Sequence, residues 1–169
     1  MTYDVTVRNV TAHDLDACYG VEVRCFPPSE AAPRERIEKR IEVFPEGFFV
    51  AELEGTVIGF INGSSTDKED VTDQAFKEMA DHDPRGKNIV IIALAVDPEY
   101  RKKGIARKLM SRFIEESEQM EKQKIMLICK PDLVDYYRAY GFIDAGESAS
   151  TYGGAKWHDM VLPLQNRCF

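Results

Sequence analysis

The spacing of apolar positions changes along this chain, and each change marks an element. Residues 89–96 are an unbroken apolar run rich in β-branched side chains, which predicts a strand buried on both faces. Pro98 stops the ladder. Ile105, Ala106, Leu109, Met110, Phe113 and Ile114 then recur at the spacing of one helical face, so a helix is expected over residues 104–120. A second buried strand is expected over residues 124–129.

Upstream, residues 2–8 alternate as an edge or half-buried strand does. Thr11 or His13 with Asp14 caps a helix carrying Leu15, Cys18, Tyr19 and Val23 inward, and Phe26-Pro27-Pro28 breaks it. Pro33 suits the first turn of a second helix bearing Ile37, Ile41 and Phe44. Residues 47–53 and 56–63 read as two strands joined at Glu54-Gly55, a hairpin signal. Residues 66–82 read as an acidic helix with Val71, Ala75, Phe76 and Met79 inward, followed by a turn at residues 83–86. Asp132 caps a short helix through Tyr140, and Gly141 takes its left-handed end. The last two strands, from Phe142 onward and over residues 156–164, flank Gly153-Gly154.

Strands and helices in this order make an α/β fold with a mixed sheet. At 169 residues and 44% hydrophobic, the chain fits one well-buried core, so residues 1–169 are expected to form a single domain. No apolar run approaches the roughly 18 residues of a membrane span, and the first residues lack the basic and apolar regions of a secretory signal. The expected setting is cytoplasmic, as monomer or homodimer. A net charge of −7 argues against nucleic-acid partners, whose binding rests on neutralising phosphates. Cys18, Cys25, Cys129 and Cys168 lie far apart, which suggests free thiols and neither a metal site nor a disulfide framework.

The junction after Val96 carries the strongest chemistry. Arg101, Lys102 and Lys103 precede Gly104 at the expected start of a helix, where backbone N–H groups lack intrahelical partners and the helix dipole is positive. Such a turn either holds a pyrophosphate, with Gly104 allowing close approach, or is a solvated basic surface turn. It is not the phosphate-binding loop of nucleotide hydrolases, because no Gly-x-x-x-x-Gly-Lys-Ser/Thr is present.

Residues 94–106, Leu-Ala-Val-Asp-Pro-Glu-Tyr-Arg-Lys-Lys-Gly-Ile-Ala, resemble the Arg/Gln-x-x-Gly-x-Gly/Ala motif of the GNAT superfamily of N-acetyltransferases together with its central strand. Residues 136–142, Tyr-Tyr-Arg-Ala-Tyr-Gly-Phe, resemble that superfamily's Tyr-x-x-x-Gly-Phe element. Within it the chain is most similar to the arylalkylamine (serotonin) N-acetyltransferase family. The features shared with that family include Glu22-x-x-x-Phe26-Pro27, Ile58-Gly59-Phe60-Ile61-x-Gly63, His82-x-Pro84-x-Gly86 and Gly153-Gly154-Ala155-x-Trp157.

The resemblance implies a GNAT fold whose central sheet contains a splayed pair of parallel strands flanked by helices. It implies acetyl-CoA as cosubstrate, a small-molecule primary amine of arylalkylamine or polyamine type as acceptor, and no metal. Leu94, Ala95 and Val96 would contact the pantetheine arm, and Arg101, Lys102, Lys103, Gly104, Ile105, Ala106 and Arg107 would cradle the pyrophosphate. Tyr137 matches the tyrosine beside the coenzyme sulfur, the general acid. Phe26, Pro27 and Pro28 match the amine-binding loop. The family's two central-strand histidines are replaced here by Val90 and Ile92, which cannot move a proton. Of three histidines, His82 matches a family position and is the candidate base; Glu22 or Glu30 acting through water, or no enzymatic base, are the alternatives. A chain that kept the coenzyme cradle and lost the base would be a noncatalytic acyl-CoA-binding regulatory module. Peptide or protein N-acetylation would need an open acceptor groove.

Overall fold

The computed structural model describes residues 4–71 and 77–164. Its elements run β1 (Val5–Asn9), α1 (Leu15–Cys25), α2 (Arg34–Val43), β2 (Phe48–Leu53), β3 (Thr56–Thr66), β4 (Asn88–Val96), α3 (Ile105–Gln119), β5 (Lys124–Cys129), α4 (Val134–Arg138), β6 (Ile143–Glu147) and β7 (His158–Pro163). The strands hydrogen-bond in the order β1-β2-β3-β4-β5-β7-β6, with β4 and β5 parallel and β7 antiparallel to both β5 and β6. This is the mixed α/β sheet expected from the sequence. The chain divides into two compact units, Met1–Gly63 with Ile92–Glu116, and Ser64–Ile91 with Ser117–Phe169.

In the first unit, β2 joins β3 through Glu54 and Gly55, both left-handed at φ 49° and 82°, as a two-residue hairpin of primed type requires. Residues opposite each other on paired strands share a face, so Phe48 with Asn62 and Val50 with Phe60 look one way. That face packs against Leu15, Cys18 and Val21 of α1 and Ile37 and Ile41 of α2, all buried. Burying a side chain of this size contributes roughly 1.5–3 kcal/mol, so these contacts dominate the unit's stability. α1 is rotated from the expected stripe: Val21 and Glu22 turn inward, while Val23 is 47% exposed.

The other face, Phe49, Ile61 and Gly59, meets α3, whose Arg112 guanidinium lies 5.2 Å from the Phe49 ring centre. Gly59 lets β3 approach the end of β4. A Cβ there would stand 2.9 Å from the Ala95 carbonyl oxygen and 3.4 Å from Leu109.

In the second unit, Val90 of β4 and Met126 of β5 pack with Val71, and Ile128 and Val161 border them. The acidic helix expected over residues 66–82 is not formed among the described residues. Thr66 instead ends β3, which runs three residues past its expected end, and residues 77–81 are a turn with Met79 at φ 61°. Ala75 and Phe76 lie outside the described residues. Helical apolar spacing yields to local bonding at the described ends of this segment: the Asp83 amide donates to the Ser65 carbonyl at 2.9 Å, and Gly86 sits so close to Thr66 that a Cβ would meet its backbone at 2.4 Å. Asp132 does not cap α4. The helix is entered through a tight turn at Pro131–Leu133, in which the Pro131 carbonyl accepts the Val134 amide, and no side chain caps it. Gly141 follows α4 at φ 102°, as expected.

Gly59→Ala is expected to lower the melting temperature by several degrees, a cost of about 1–3 kcal/mol from overpacking against the Ala95 carbonyl. Thermal unfolding of the variant checks this; an unchanged midpoint would show that β4 yields freely at Ala95.

Candidate acyl-CoA and acyl-transfer site

The apolar run of β4 is not buried throughout. Asn88 to Ile91 are buried and so are Ala95 and Val96, but Ile92, Ala93 and Leu94 between them are half-exposed. The register with β5 pairs Asn88 with Lys124, Ile89 with Ile125 and Val90 with Met126, and β4 continues from Ile91 to Val96 beyond the last pair. An apolar strand interior left partly uncovered, with backbone groups past the end of its parallel ladder, is a place where an extended chain of another molecule can be covered and paired.

The strand's end is pinned by side chains from α1. The Asp97 amide donates to the Ile58 carbonyl at 2.8 Å, and its carboxylate accepts from the Glu99 amide at 3.0 Å and from Arg24 Nε and Nη2 at 3.0 and 2.7 Å. The Val96 carbonyl accepts from Cys25 Sγ at 3.3 Å and from Arg101 Nε at 3.1 Å. Arg101, expected at a pyrophosphate, therefore folds its guanidinium nitrogen Nε back onto the strand it follows. After the tight turn at Pro98–Tyr100, Lys102 stands at φ 62° and Gly104 at φ 80°. Left-handed residues in a turn of this kind can gather successive backbone N–H groups into a concavity that attracts anions. The space a Cβ of Gly104 would occupy is open for 4 Å.

Residues 101–104 are exposed, while Ile105 is buried and Ala106 half-buried as α3 begins. Its first intrahelical bond, Lys108 amide to Gly104 carbonyl, is 3.2 Å. The amides of Ile105, Ala106 and Arg107 precede that bond, at the positive end of the helix dipole. Left-handed backbone, open space and a helix start coincide here, and together they fit a diphosphate.

The first unit also holds the expected acceptor loop. Glu22, 3% exposed on α1, accepts the Ala32 amide at 2.9 Å, and the Pro27 carbonyl accepts from the Glu30 and Ala31 amides, both at 2.9 Å. Phe26 is half-buried and borders the same apolar cluster as Ala93. Pro27 and Pro28 are exposed, so within this unit the apolar wall is Phe26 without them.

Tyr137 and His82 belong to the second unit. Tyr137, on α4, meets Phe142 edge-on at 5.9 Å and Tyr136 at 5.1 Å between ring centres. Burial, with Cys129 and Tyr140 nearby, pushes its phenol above the ordinary range, so the hydroxyl keeps its proton at neutral pH. Burial also pushes the Cys129 thiol up to about 11, which removes it as a nucleophile near pH 7.

His82 is half-buried, and its Nδ1 accepts the Ser65 amide at 3.1 Å with Ser64 Oγ at 3.2 Å. A backbone N–H only donates, so Nδ1 is the acceptor and the neutral ring carries its proton on Nε2. The base role expected for His82 would fall to Nδ1, which already accepts the Ser65 amide; a basic Nε2 requires a change of tautomer that gives up that bond.

The segment bearing His82 is held by a residue that the sequence did not single out. Lys122, 7% exposed, donates to Ser65 Oγ at 2.6 Å, to the Gly86 carbonyl at 2.6 Å and to the Pro84 carbonyl at 3.2 Å. Desolvation lowers its pKa. A lysine between Glu121 and Gln123 carries no pattern that distinguishes it from a surface charge.

The description "Acetyltransferase (GNAT) family" matches residues 15–142, and the chain belongs to that family. Among curated relatives it is 34% identical over 114 residues to a protein described as probable hydrolase YhcX of Bacillus subtilis, a match covering 62% of this chain and 22% of that protein's length. It is 27% identical to YkwB of Bacillus subtilis, described as an uncharacterized N-acetyltransferase, over 97% of this chain and 76% of that one. It is 26% identical to serotonin N-acetyltransferase of Mesocricetus auratus, over 88% and 80%. Among solved structures, the loading GNATL domain of CurA from Lyngbya majuscula superposes with a TM-score of 0.84 at 17% identity, over 96% of this chain and 99% of that one. The putative acetyltransferase yncA of Salmonella typhimurium, solved with its cofactor acetyl-CoA, gives 0.70 at 17% identity, over 98% and 97%. The chain is thus a member of the GNAT acetyltransferase family.

The bonding at Nδ1 leads to a direct expectation: ¹⁵N NMR of the imidazole near pH 8 should show His82 as the Nε2–H tautomer. An Nδ1–H tautomer would contradict the Ser65 bond and restore a basic Nε2.

Proposed function

We propose that this chain moves an acetyl group from acetyl-CoA to the nitrogen of a small primary amine in the cytoplasm, by direct attack of the amine on the thioester. The observation that carries the reading is the turn over residues 97–104, where left-handed Lys102 and Gly104 precede the amides of Ile105, Ala106 and Arg107. Those amides, with Lys103 and Arg107, hold the diphosphate; Leu94, Ala95 and Val96 pair through their backbone with the pantetheine arm. One amide of that stretch faces the carbonyl oxygen as negative charge develops on it. Phe26 presents an apolar surface to the acceptor.

Tyr137 supplies the acid. The amine nitrogen bonds to the carbonyl carbon, the carbon–sulfur bond breaks, and the phenol proton passes to the departing sulfur. The proton shed by the nitrogen returns through solvent to the phenolate. A phenol held protonated well past neutrality is in the right form throughout the working range. His82, in its Nε2–H form, enters as a hydrogen-bond donor, so the acceptor loses its ammonium proton to water. The free thiols Cys18, Cys25 and Cys129 suit a reducing compartment.

Release of free thiol from acetyl-CoA should follow addition of a small primary amine. Tyr137→Phe should lower kcat by roughly 10²-fold or more, the usual scale for general acid–base catalysis, with coenzyme affinity within about twofold of wild type because a phenyl ring keeps the packing. An unchanged kcat would remove Tyr137 from the chemistry. Coenzyme binding without thiol release from any acceptor would instead mark a noncatalytic acyl-CoA-binding module.

A further inference from the structure

Asn62 of β3 is fully buried, and neither its Oδ1 nor its Nδ2 has a hydrogen-bond partner among the described residues. Buried amides are nearly always satisfied, and one with both ends open points to a group that arrives from outside. Its setting says which group. Asn62 lies opposite Phe48, on the sheet face that α1 and α2 cover. The bond from the Asp97 amide to the Ile58 carbonyl and the approach of Gly59 to Ala95 and Val96 make β3 and β4 antiparallel here. Carried along the strands, that register sets Asn62 beside Ala93. Ala93 lies in the half-exposed stretch of β4 and, with Tyr19, Cys25 and Phe26, is among the partly buried side chains bordering the cluster on this face.

We infer that Asn62 reads the acceptor, its Oδ1 taking an N–H from the amine and its Nδ2 donating to an oxygen on the same molecule. A primary amine alone leaves Nδ2 unanswered. An acceptor with a carbonyl or hydroxyl oxygen next to its primary amine, such as an amino-acid amide or amino alcohol, answers both ends. This rests on the amine-acetyltransferase reading and narrows it, away from simple arylalkylamines and polyamines. A site built to hydrogen-bond a substrate group discriminates strongly against the analogue lacking it, because the site's own polar atoms are then buried without partners.

The test compares kcat/KM for phenylalaninamide and 2-phenylethylamine, which differ by the carboxamide, in wild type, Asn62→Leu and Asn62→Asp, with thermal unfolding of each. Wild type should prefer phenylalaninamide by at least about tenfold. Both variants should bring the ratio to within about threefold, the apolar one by removing both bonds and the acid by removing the donor. Asn62→Leu should melt no lower than wild type, since it removes an unsatisfied polar group of similar volume. A wild-type preference that survives in either variant overturns the inference. So does a wild type with no preference, or a lower melting temperature for Asn62→Leu, which would mean that the fold or an internal water satisfies the amide. Acetylation of no amine at all would overturn the amine-acetyltransferase reading as well, and is distinguishable from all of these by the absence of turnover.

Discussion

The first unit depends on how the chain leaves β4. A strand that ends beside a helix start must reverse the chain within a few residues, and here the reversal is fixed by bonds to the strand's last residues. Asp97 is held by Ile58, Glu99 and Arg24, and the Val96 carbonyl by Cys25 and Arg101. These bonds fix both the last residues of the strand and the start of the turn. What remains is a stretch in which Lys102 and Gly104 are left-handed, a conformation that costs a non-glycine residue roughly 1 kcal/mol or more and persists because both ends are anchored. Backbone held in this way is already shaped before any anion arrives, so binding requires little further ordering.

The second unit holds its own candidate in a comparable way, with a buried cation in place of the carboxylate. Lys122 gathers Ser65 Oγ and the carbonyls of Pro84 and Gly86, and the Ser65 amide fixes the ring of His82. The pair of histidines implied on the central strand is absent, and the one histidine at a family position has its basic nitrogen committed to the backbone. The proposed acid, Tyr137, keeps its proton while the candidate base is tied to the backbone, which fits the proposed acceptor that sheds its ammonium proton to water before attack. Chains in which the hydrogen-bonding of one histidine differs could divide acid and base work otherwise on the same fold.

Much of the fold was legible because the apolar period changes sharply at Pro98 and at the Glu54-Gly55 turn; a continuous apolar run has few other homes than a central strand. The misreadings share a cause. Ser64, Ser65 and Thr66 look like loop residues yet are buried at the end of β3, since their polar groups are met by His82, Gly86 and Lys68. The apolar spacing of residues 66–82 suits a helical face, and nothing in the sequence signals the bonding that competes with it. Val23 seemed inward because hydrophobicity alone cannot choose between it and Val21 when a carboxylate, Glu22, is itself buried to hold the loop amide of Ala32. Within the candidate site, Gly104 and the cations were readable from spacing. The inward fold of Arg101, the lysine that braces His82 and the open amide of Asn62 were not, since each depends on a partner, or the lack of one, far away in sequence.

The central claim is that the amides and cations of residues 101–107 hold a diphosphate, and calorimetric titration of coenzyme A against pantetheine, which lacks it, tests that claim most directly. Two charge-assisted bonds of about 1.5 kcal/mol each correspond to roughly 100-fold tighter binding of coenzyme A. Gly104→Val, which cannot hold φ near 80° without strain, should bring its affinity down toward that of pantetheine. Equal affinity for the two ligands in the wild-type chain would contradict the account.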